Sequence, residues 1–246
     1  MKTGRTVTAY ILSILLFCAV WECVAYVVHA SLILPHISEC ASAFFKICSQ
    51  AFFWQNIGIT CFRCLISFLI SVVSGTILGV LCGTSSFFHD FSALPLAAVR
   101  ATPVVSFILI ALFWFTSGTV PVFVSILMAL PVMENTVENG VKQMNPEYDV
   151  MASVYRFTKI QKMRILTIPQ IKPFFLSGCV STFGLSWKVT VAGEVLSLPQ
   201  KGAGTMLQTA QVHLETDQVA AITVVLVIIS FTVEKLFTYL IKNTVR

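Results

Sequence analysis

NPEYDVMASVYRFTKIQKMRILTIPQIKP, residues 145–173, is the one long polar and basic stretch in a chain that is otherwise apolar. It carries Lys159, Lys162, Arg164 and Lys172, although only 11% of all residues are charged and 57% are hydrophobic. A soluble domain needs a more polar surface than this composition supplies, and long apolar runs account for the difference. The sequence therefore predicts an all-α, polytopic membrane protein in which residues 145–173 form a loop outside the membrane.

Apolar runs on both sides of this segment predict about six membrane-spanning helices. They lie at residues 7–28, 57–81, 102–115, 120–137, 174–198 and 219–240. The third run is short, so we expect its helix to begin before Arg100, with Pro95 near its first turn. Residues 30–55 combine charged, polar and aromatic residues, so we expect them to lie at the membrane interface and not to span it. Ser71, Gly75 and Gly79 recur at every fourth position, which predicts close approach of a second helix.

The basic residues predict the orientation of the spans. Six spans place both termini on one side, and if that side is the cytoplasm, only Lys46 and Lys201 fall in outward segments. This bias explains the net charge of +5 better than nucleic-acid binding does, because apolar runs separate the cations. We therefore expect a multi-pass protein with both termini and a loop of about residues 139–172 in the cytoplasm, and no nucleic-acid partner.

Two short helices are predicted within this loop. Asn145 followed by Pro146 is typical of a helix start, and Thr158-x-x-Gln161 matches the capping box. The helices then cover about residues 146–155 and 159–168, with Arg156 and Phe157 at the turn between them. Apolar side chains near this turn either dock a partner or pack against the ends of the spans, and the residues alone leave both interpretations open.

The order of motifs along the chain resembles one protein family. The motifs are Pro131-x-x-x-Asn135-Thr136-x-x-x-Gly140, Asn145-Pro146-Glu147, Met151-Ala152 and ILTIP at 165–169, with Arg63, Gly75-x-x-x-Gly79, RATP at 100–103, WKVTVAGE at 187–194 and KGAG at 201–204 around them. This set, from Trp54 onward, is similar to the inner-membrane permeases of ABC importers in the nitrate, sulfonate, taurine and bicarbonate branch. The resemblance implies a type I importer fold, with residues 1–246 forming a single transmembrane permease domain.

In that family the loop carries the EAA motif and forms a coupling helix that docks on a separate ATP-binding subunit. The resemblance places the docking contact at Val150, Met151, Ala152, Ser153, Tyr155, Arg156 and Phe157. Arg156 stands where the motif has glycine, the residue that suits a helix end turning through positive φ. The resemblance also implies that ATP and Mg²⁺ bind the partner subunit, so we expect no cofactor on this chain and no enzymatic activity of its own.

The resemblance further implies the assembly and its task. Members of the family work as a homodimer, with an extracytoplasmic solute-binding protein at the outer mouth. They import a small solute into the cytoplasm by alternating access, here an oxyanion, a sulfonate or a vitamin precursor. The alternative is a secondary transporter or channel that works without an ATPase.

Two ionisable residues lie inside the fifth predicted span. Lys188 and Glu194, with Trp187 beside them, are candidates for the substrate pathway, because a charged group at membrane depth usually faces a cavity or a partner. Their spacing puts them about 120° apart around a helix, so they are poorly placed to pair. Lys188 is suited to meet an anion, and Arg63 suits structural pairing better than ligand binding. The competing interpretation is that Lys188 snorkels and Glu194 is hydrated near the outer end.

The sequence offers no metal or nucleotide site. Its four histidines are scattered, and Cys61-x-x-Cys64 lacks a second pair of ligands. Gly202-Ala203-Gly204 is a lone GxG that predicts a turn, and no GxxxxGK[ST] motif occurs in the chain. The ATPase must therefore be another protein if ATP drives transport.

Overall fold

The computed structural model describes residues 2–245, with their side chains except those at positions 2–7, 10, 149, 159 and 240–245. Between residues 2 and 245 all regular structure is helical. The helices are α1 (Lys2–Val28), α2 (Ile37–Cys48), α3 (Ala51–Thr84), α4 (Ser86–Ala101), α5 (Val104–Ala111), α6 (Val120–Lys142), α7 (Glu147–Val154), α8 (Lys159–Lys162), α9 (Ile168–Ser197), α10 (Ala203–Val212) and α11 (Thr216–Val245), with a π-helical turn (Met163–Thr167) between α8 and α9.

Helix α6 is the centre of the bundle and packs against α3 on one side and α9 on the other. Glycine makes the approach to α3 close: a Cβ at Gly79 would lie 2.6 Å from the backbone oxygen of Glu134, and one at Gly75 would lie 2.7 Å from the Cβ of Met133. The Ser71 hydroxyl, one turn away, donates across the same interface to the Ile126 carbonyl at 3.5 Å. The small residues predicted to admit a neighbouring helix do so here.

Within residues 2–245, five helices are long and apolar enough to cross a membrane. These segments are Ile11–Val28, Ala51–Thr84, Val120–Lys142, Ile160–Ser197 and Thr216–Tyr239. They match five of the six predicted spans, and their mean hydropathies run from 1.2 to 2.4. The sixth is the pair α4 and α5, which qualifies only if its two helices are counted together.

The third predicted span is a broken helix and not one straight rod. Helices α4 and α5 meet at 96°, with the break at Thr102 and Pro103. Pro103 has no N–H to donate, and a residue before proline is driven out of the α region, as the ψ of 131° at Thr102 shows. Pro95, which was expected near the start of the span, lies inside α4.

The fifth predicted span starts earlier than its apolar run. The second loop helix, expected to stop near residue 168, instead continues through the π-helical turn into α9, so Ile160–Ser197 is one apolar unit. The N–H of Ile168 bonds to Met163, five residues back, which widens the helix just before Pro169, a residue that cannot donate. Pro169 therefore does not end the helix, and Pro173 lies inside α9.

Helices α1, α2, α10 and α11 surround this bundle. Helix α11 packs on α2 and α10, whereas α1 buries only 6% of its apolar window. Helix α1 is tethered near its end: the Trp21 indole donates to the Pro35 carbonyl at 3.0 Å, and the Glu22 carboxylate meets the His36 ring at 2.8 Å. We call the end of the bundle that holds α7 and α8 the loop end, and the end that holds α2 and α10 the far end.

Candidate functional site

Helix α7 ends in a turn that is built around Arg156. Arg156 has a φ of 50°, in the left-handed region that normally favours glycine. Around it the N–H of Phe157 donates to the Ala152 carbonyl at 2.9 Å, and the N–H of Arg156 donates to the Ser153 carbonyl at 3.1 Å. These two bonds form a Schellman motif, so the backbone keeps the glycine-type turn although the side chain is arginine.

The sequence signals at the two helix starts are present in the loop. Asn145 accepts the N–H of Glu147 through its side-chain oxygen at 2.9 Å, and its own N–H donates to Gln170 on α9 at 3.1 Å. Thr158 and Gln161 form the predicted capping box, with bonds of 2.9 and 3.3 Å between each backbone N–H and the other side chain. These bonds fix the position of α7 relative to α9.

The loop exposes an apolar surface at the end of α7. Val150, Val154 and Tyr155 are 64%, 72% and 70% exposed. Met151 and Phe157 are half-buried, while Ser153 and Arg156 are exposed. Ala152 is only 4% exposed, so its side chain is turned into the chain and is not available to a partner. The resemblance had included Ala152 and left out Val154, which projects one turn beyond Val150 on the same helix face.

A cluster of charged residues lies where the loop leaves the end of α6. The Glu138 carboxylate on α6 accepts from Lys142 at 2.7 Å and meets the His89 ring of α4 at 2.5 Å. The pair on α6 is one helical turn apart, and His89 brings the start of α4 to the same oxygen. The end of α6, from which the loop departs, is thereby fixed to α4.

A second polar cluster lies at the far end, where the Glu194 carboxylate of α9 is fully buried. One of its oxygens accepts from the Arg63 guanidinium at 2.6 Å, and the other accepts from the Thr60 hydroxyl at 2.8 Å and from the N–H of Gly204 at 3.0 Å. Arg63 also donates to the Lys201 carbonyl at 2.7 Å. Glu194 thus joins α3, α9 and α10 in this conformation, and its place in the substrate pathway stays a prediction.

The start of α10 completes this cluster with backbone donors. The N–H groups of Gly202 and Ala203 donate to the Asn56 side chain and to the Thr60 hydroxyl, both at 2.8 Å. A Cβ at Gly202 would lie 2.6 Å from the carboxyl carbon of Glu194. Glycine is required there because the carboxylate sits against the helix N-terminus, where the dipole and free N–H groups stabilise an anion.

Sequence reasoning missed Asn56 and Thr60. Both are buried polar residues on α3, at 1% and 0% exposure, and both look unremarkable inside an apolar run. Their spacing could have revealed them. Asn56, Thr60 and Arg63 are four and three residues apart and so lie on one helix face, which predicts a polar stripe that packs against another helix. Arg63 was correctly interpreted as a pairing residue.

Lys188 and Trp187 lie on different faces of α9. Trp187 is 5% exposed and packs in the core with Phe183 and residues of α11, so its side chain lines no open pathway in this conformation. Lys188 is exposed, as are Ser181 and Ala192 on the same face, and a Cβ at Gly184 would meet nothing within 4 Å. Among the residues whose side chains are described, no cluster of three His, Cys, Asp or Glu is placed to hold a metal ion.

Comparison with known proteins identifies the family. Residues 75–246 match the family described as binding-protein-dependent transport system inner membrane component. The chain is 30% identical over 150 residues to the nitrate import permease protein NrtB of Leptolyngbya laminosa, covering 60% of this chain and 53% of that protein. It is 25% identical over 187 residues to the taurine transport system permease protein TauC of Escherichia coli (strain K12), covering 75% and 67%. The chain therefore spans about half the length of the first relative and two thirds of the second.

The fold agrees with a solved transporter. A chain of the MetNI methionine ABC transporter in an inward-facing conformation superposes with a TM-score of 0.67 at 15% identity, covering 80% of this chain and 100% of that chain. This likeness concerns the fold, and it confirms the type I architecture expected from the sequence. Because the family match covers more than half of the sequence, the chain belongs to the family of binding-protein-dependent transport system inner membrane components.

Proposed function

We propose that this chain is the membrane permease of an ATP-driven importer and moves a small anion, an oxyanion or a sulfonate, into the cytoplasm by alternating access. Family membership and the nitrate and taurine permeases among its relatives support this function. In the proposed assembly, two copies of the chain bind two ATP-binding subunits at the loop end and one solute-binding protein at the far end. Both termini are then cytoplasmic, in accord with the basic residues of the loop.

The observation that carries the proposal is the apolar surface at the end of α7. We define the docking surface as Val150, Val154, Tyr155 and Arg156. Three of these side chains are apolar and at least 64% exposed on a helix outside the spans, where burial against a partner gives about 1.5–3 kcal/mol for each large side chain. Hydrogen bonds at both ends of α7 hold the surface rigid, so its docking costs little conformational entropy.

A pull-down with the ATP-binding subunit tests the docking surface. We expect the double substitution Val154→Asp and Tyr155→Asp to release the subunit, because two carboxylates would be desolvated in an apolar contact. Val212→Asp is the matched control, since Val212 is 68% exposed but lies on α10 at the far end. Retention of the subunit by the double variant would place docking elsewhere on the loop.

The exposed face of α9 supports an anionic substrate. Lys188 lies within a membrane-spanning helix, and among the described contacts its ammonium group has no acidic partner. An ammonium group facing hydrocarbon is costly, so this face adjoins either water or a second copy of the chain. In both cases Lys188 contributes positive charge along the path of a negatively charged solute.

Transport by the reconstituted assembly separates the proposed function from the alternative. Uptake should require the ATP-binding subunit and hydrolysable ATP, whereas a channel or secondary transporter would move solute without them. Within that assay, Lys188→Met should raise the apparent KM for the anion about tenfold, corresponding to the loss of about 1.4 kcal/mol of charge interaction. Lys201→Met, an exposed lysine at the far end, is the control. An unchanged KM for Lys188→Met would remove this residue from the pathway.

A further inference from the structure

An apolar groove runs between α1, α2 and α11 at the far end of the molecule. Its volume is about 570 Å³, and its walls are formed by Trp21 of α1, by Ile37 and Cys40 of α2, and by Val219 and Ala220 of α11. Hydrogen bonds from Trp21 and to Glu22 attach α1 to residues 35–37 and so fix the position of α1 beside the start of α2. The groove is therefore a feature of the fold and not a gap left by a loosely placed helix.

The position of the groove decides the kind of molecule that fills it. Along α11 the lining extends from Thr216 to Val224, about 12 Å of helix rise at one end of a spanning segment. That length is close to one half of a hydrocarbon core of about 30 Å. An apolar groove at this depth excludes water and opens to the bilayer, so an acyl chain of the leaflet at the far end is its natural occupant.

The mouth of the groove carries negative charge. A second cavity of about 280 Å³ shares Pro35 and Thr216 with the groove and is lined by the carboxylates of Glu39 and Asp217. One oxygen of Glu39 accepts the N–H of His36 and leaves the other free to accept. Within the described part of the chain, no Lys, Arg or His nitrogen lies within 4.0 Å of either carboxylate.

We propose that this groove binds one phospholipid whose headgroup ends in a primary ammonium. The acyl chain lies between α1 and α11, and the ammonium group donates to Asp217 and Glu39. Three N–H donors match two carboxylates at the depth of the headgroups, whereas an anionic headgroup would meet like charge there. The lipid completes the packing of α1, whose apolar window is less buried than those of the other four continuous spans in the described part of the chain.

Native mass spectrometry of the whole chain tests the proposal. The protein is equilibrated in nanodiscs with equal amounts of phosphatidylethanolamine and phosphatidylglycerol of the same acyl composition, and the lipid that stays bound is identified. We expect one retained phosphatidylethanolamine, with at least about tenfold preference, and loss of that preference in Glu39→Gln with Asp217→Asn. Glutamine at 39 still accepts the N–H of His36, so the helix cap survives.

A groove-filling variant separates a bound lipid from lipid that merely surrounds the protein. Ala220→Trp should abolish retention, and Val227→Trp, an exposed position on α11 that does not line the groove, should not. Equal retention of both lipids by the wild type, or equal retention by the two tryptophan variants, would overturn the proposal. A halved mass of the Ala220→Trp particle would also overturn it, because a second copy of the chain would then be the occupant.

A measurement on the unaltered chain keeps the test independent of folding in the variants. Phosphatidylethanolamine and phosphatidylglycerol with a diazirine in the acyl chain are photolysed in the nanodisc, and the labelled peptides are mapped. We expect the ethanolamine lipid to label residues 17–21 and 216–224 more than the glycerol lipid does. Both lipids should label Trp114, which follows α5, equally, since it is 74% exposed and lines neither the groove nor the acidic cavity. Equal labelling at both places would refute the site.

Discussion

The guanidinium of Arg63 lies 2.6 Å from the carboxylate of Glu194, although 131 residues separate them in the chain. The Glu194 side chain is 0% exposed and that of Arg63 is 13% exposed, so the pair is shielded from water. It joins α3 to α9 and, through the Lys201 carbonyl, to the segment that leads into α10. The far end of the central bundle is thereby locked together.

Removing the cation should destabilise the protein strongly. Arg63→Met leaves the Glu194 carboxylate buried with only its bonds from Thr60 and Gly204, and we expect a loss of about 3 kcal/mol. Equilibrium unfolding in mixed micelles measures this loss. The double variant Arg63→Met with Glu194→Gln should lose less than the sum of the single variants, since no unpaired charge remains. Strict additivity would show that the pair does not interact.

The glycine at 204 should not tolerate a methyl group. A Cβ there would lie 2.5 Å from the Val191 carbonyl oxygen and 2.6 Å from the Cβ of Glu194, so Gly204→Ala must displace α10. We expect a loss of about 1–3 kcal/mol in the same unfolding assay. Gly58→Ala is the matched control, because its Cβ meets nothing within 4 Å and a helical alanine should stabilise by about 0.5–1 kcal/mol. Similar losses in both variants would mean that crowding around Glu194 is not the cause.

Arg156→Gly should stabilise the loop. The φ of 50° at this position strains any side chain with a Cβ, and relief of that strain is expected to give about 1 kcal/mol. Hydrogen exchange of the α7 amides measures the gain. Leu214→Gly, at a φ of 60° after α10, should show a gain of similar size at the far end.

These two glycine variants also test the role of the arginine side chain. If Arg156 serves only the turn, Arg156→Gly keeps its affinity for the ATP-binding subunit. If its guanidinium contacts that subunit, affinity falls while hydrogen exchange slows, whereas Leu214→Gly leaves affinity unchanged. Faster exchange in Arg156→Gly would contradict the strain argument.

The reactivity of Cys40 should depend on Asp217. Burial, and then the negative charge of Asp217, raise the pKa of the Cys40 thiol, because both disfavour the thiolate. Asp217→Asn removes the second cause, so the pKa should fall and alkylation at a fixed pH should be faster. Site-resolved mass spectrometry of iodoacetamide labelling across pH gives this profile. Glu215→Gln, which removes a carboxylate two residues before Asp217 that does not contribute to the shift at Cys40, should leave the profile unchanged.

Much of the fold follows from local patterns. Apolar runs predicted six spans, and five of them are continuous in the structure. Such runs are informative because a helix in a membrane must satisfy its own backbone hydrogen bonds, so the whole span consists of consecutive apolar residues. The break at Thr102 and Pro103 was less visible, because the apolar run continues across it. The early start of the fifth span was not visible for the opposite reason, because polar residues precede its apolar run.

The sequence by itself determined five membrane spans, the polar loop with its two caps and the family of the chain, since these depend on contacts within a few residues or on the order of motifs. Only the tertiary structure decided that Glu194 is an anchor, that Ala152 and Trp187 are buried while Val154 and Lys188 are exposed, and that Asn56 and Thr60 hold the start of α10. The contacts of Glu194, Asn56 and Thr60 depend on which face of a helix meets a neighbour 131 to 146 residues away, and periodicity along one helix does not specify the neighbour.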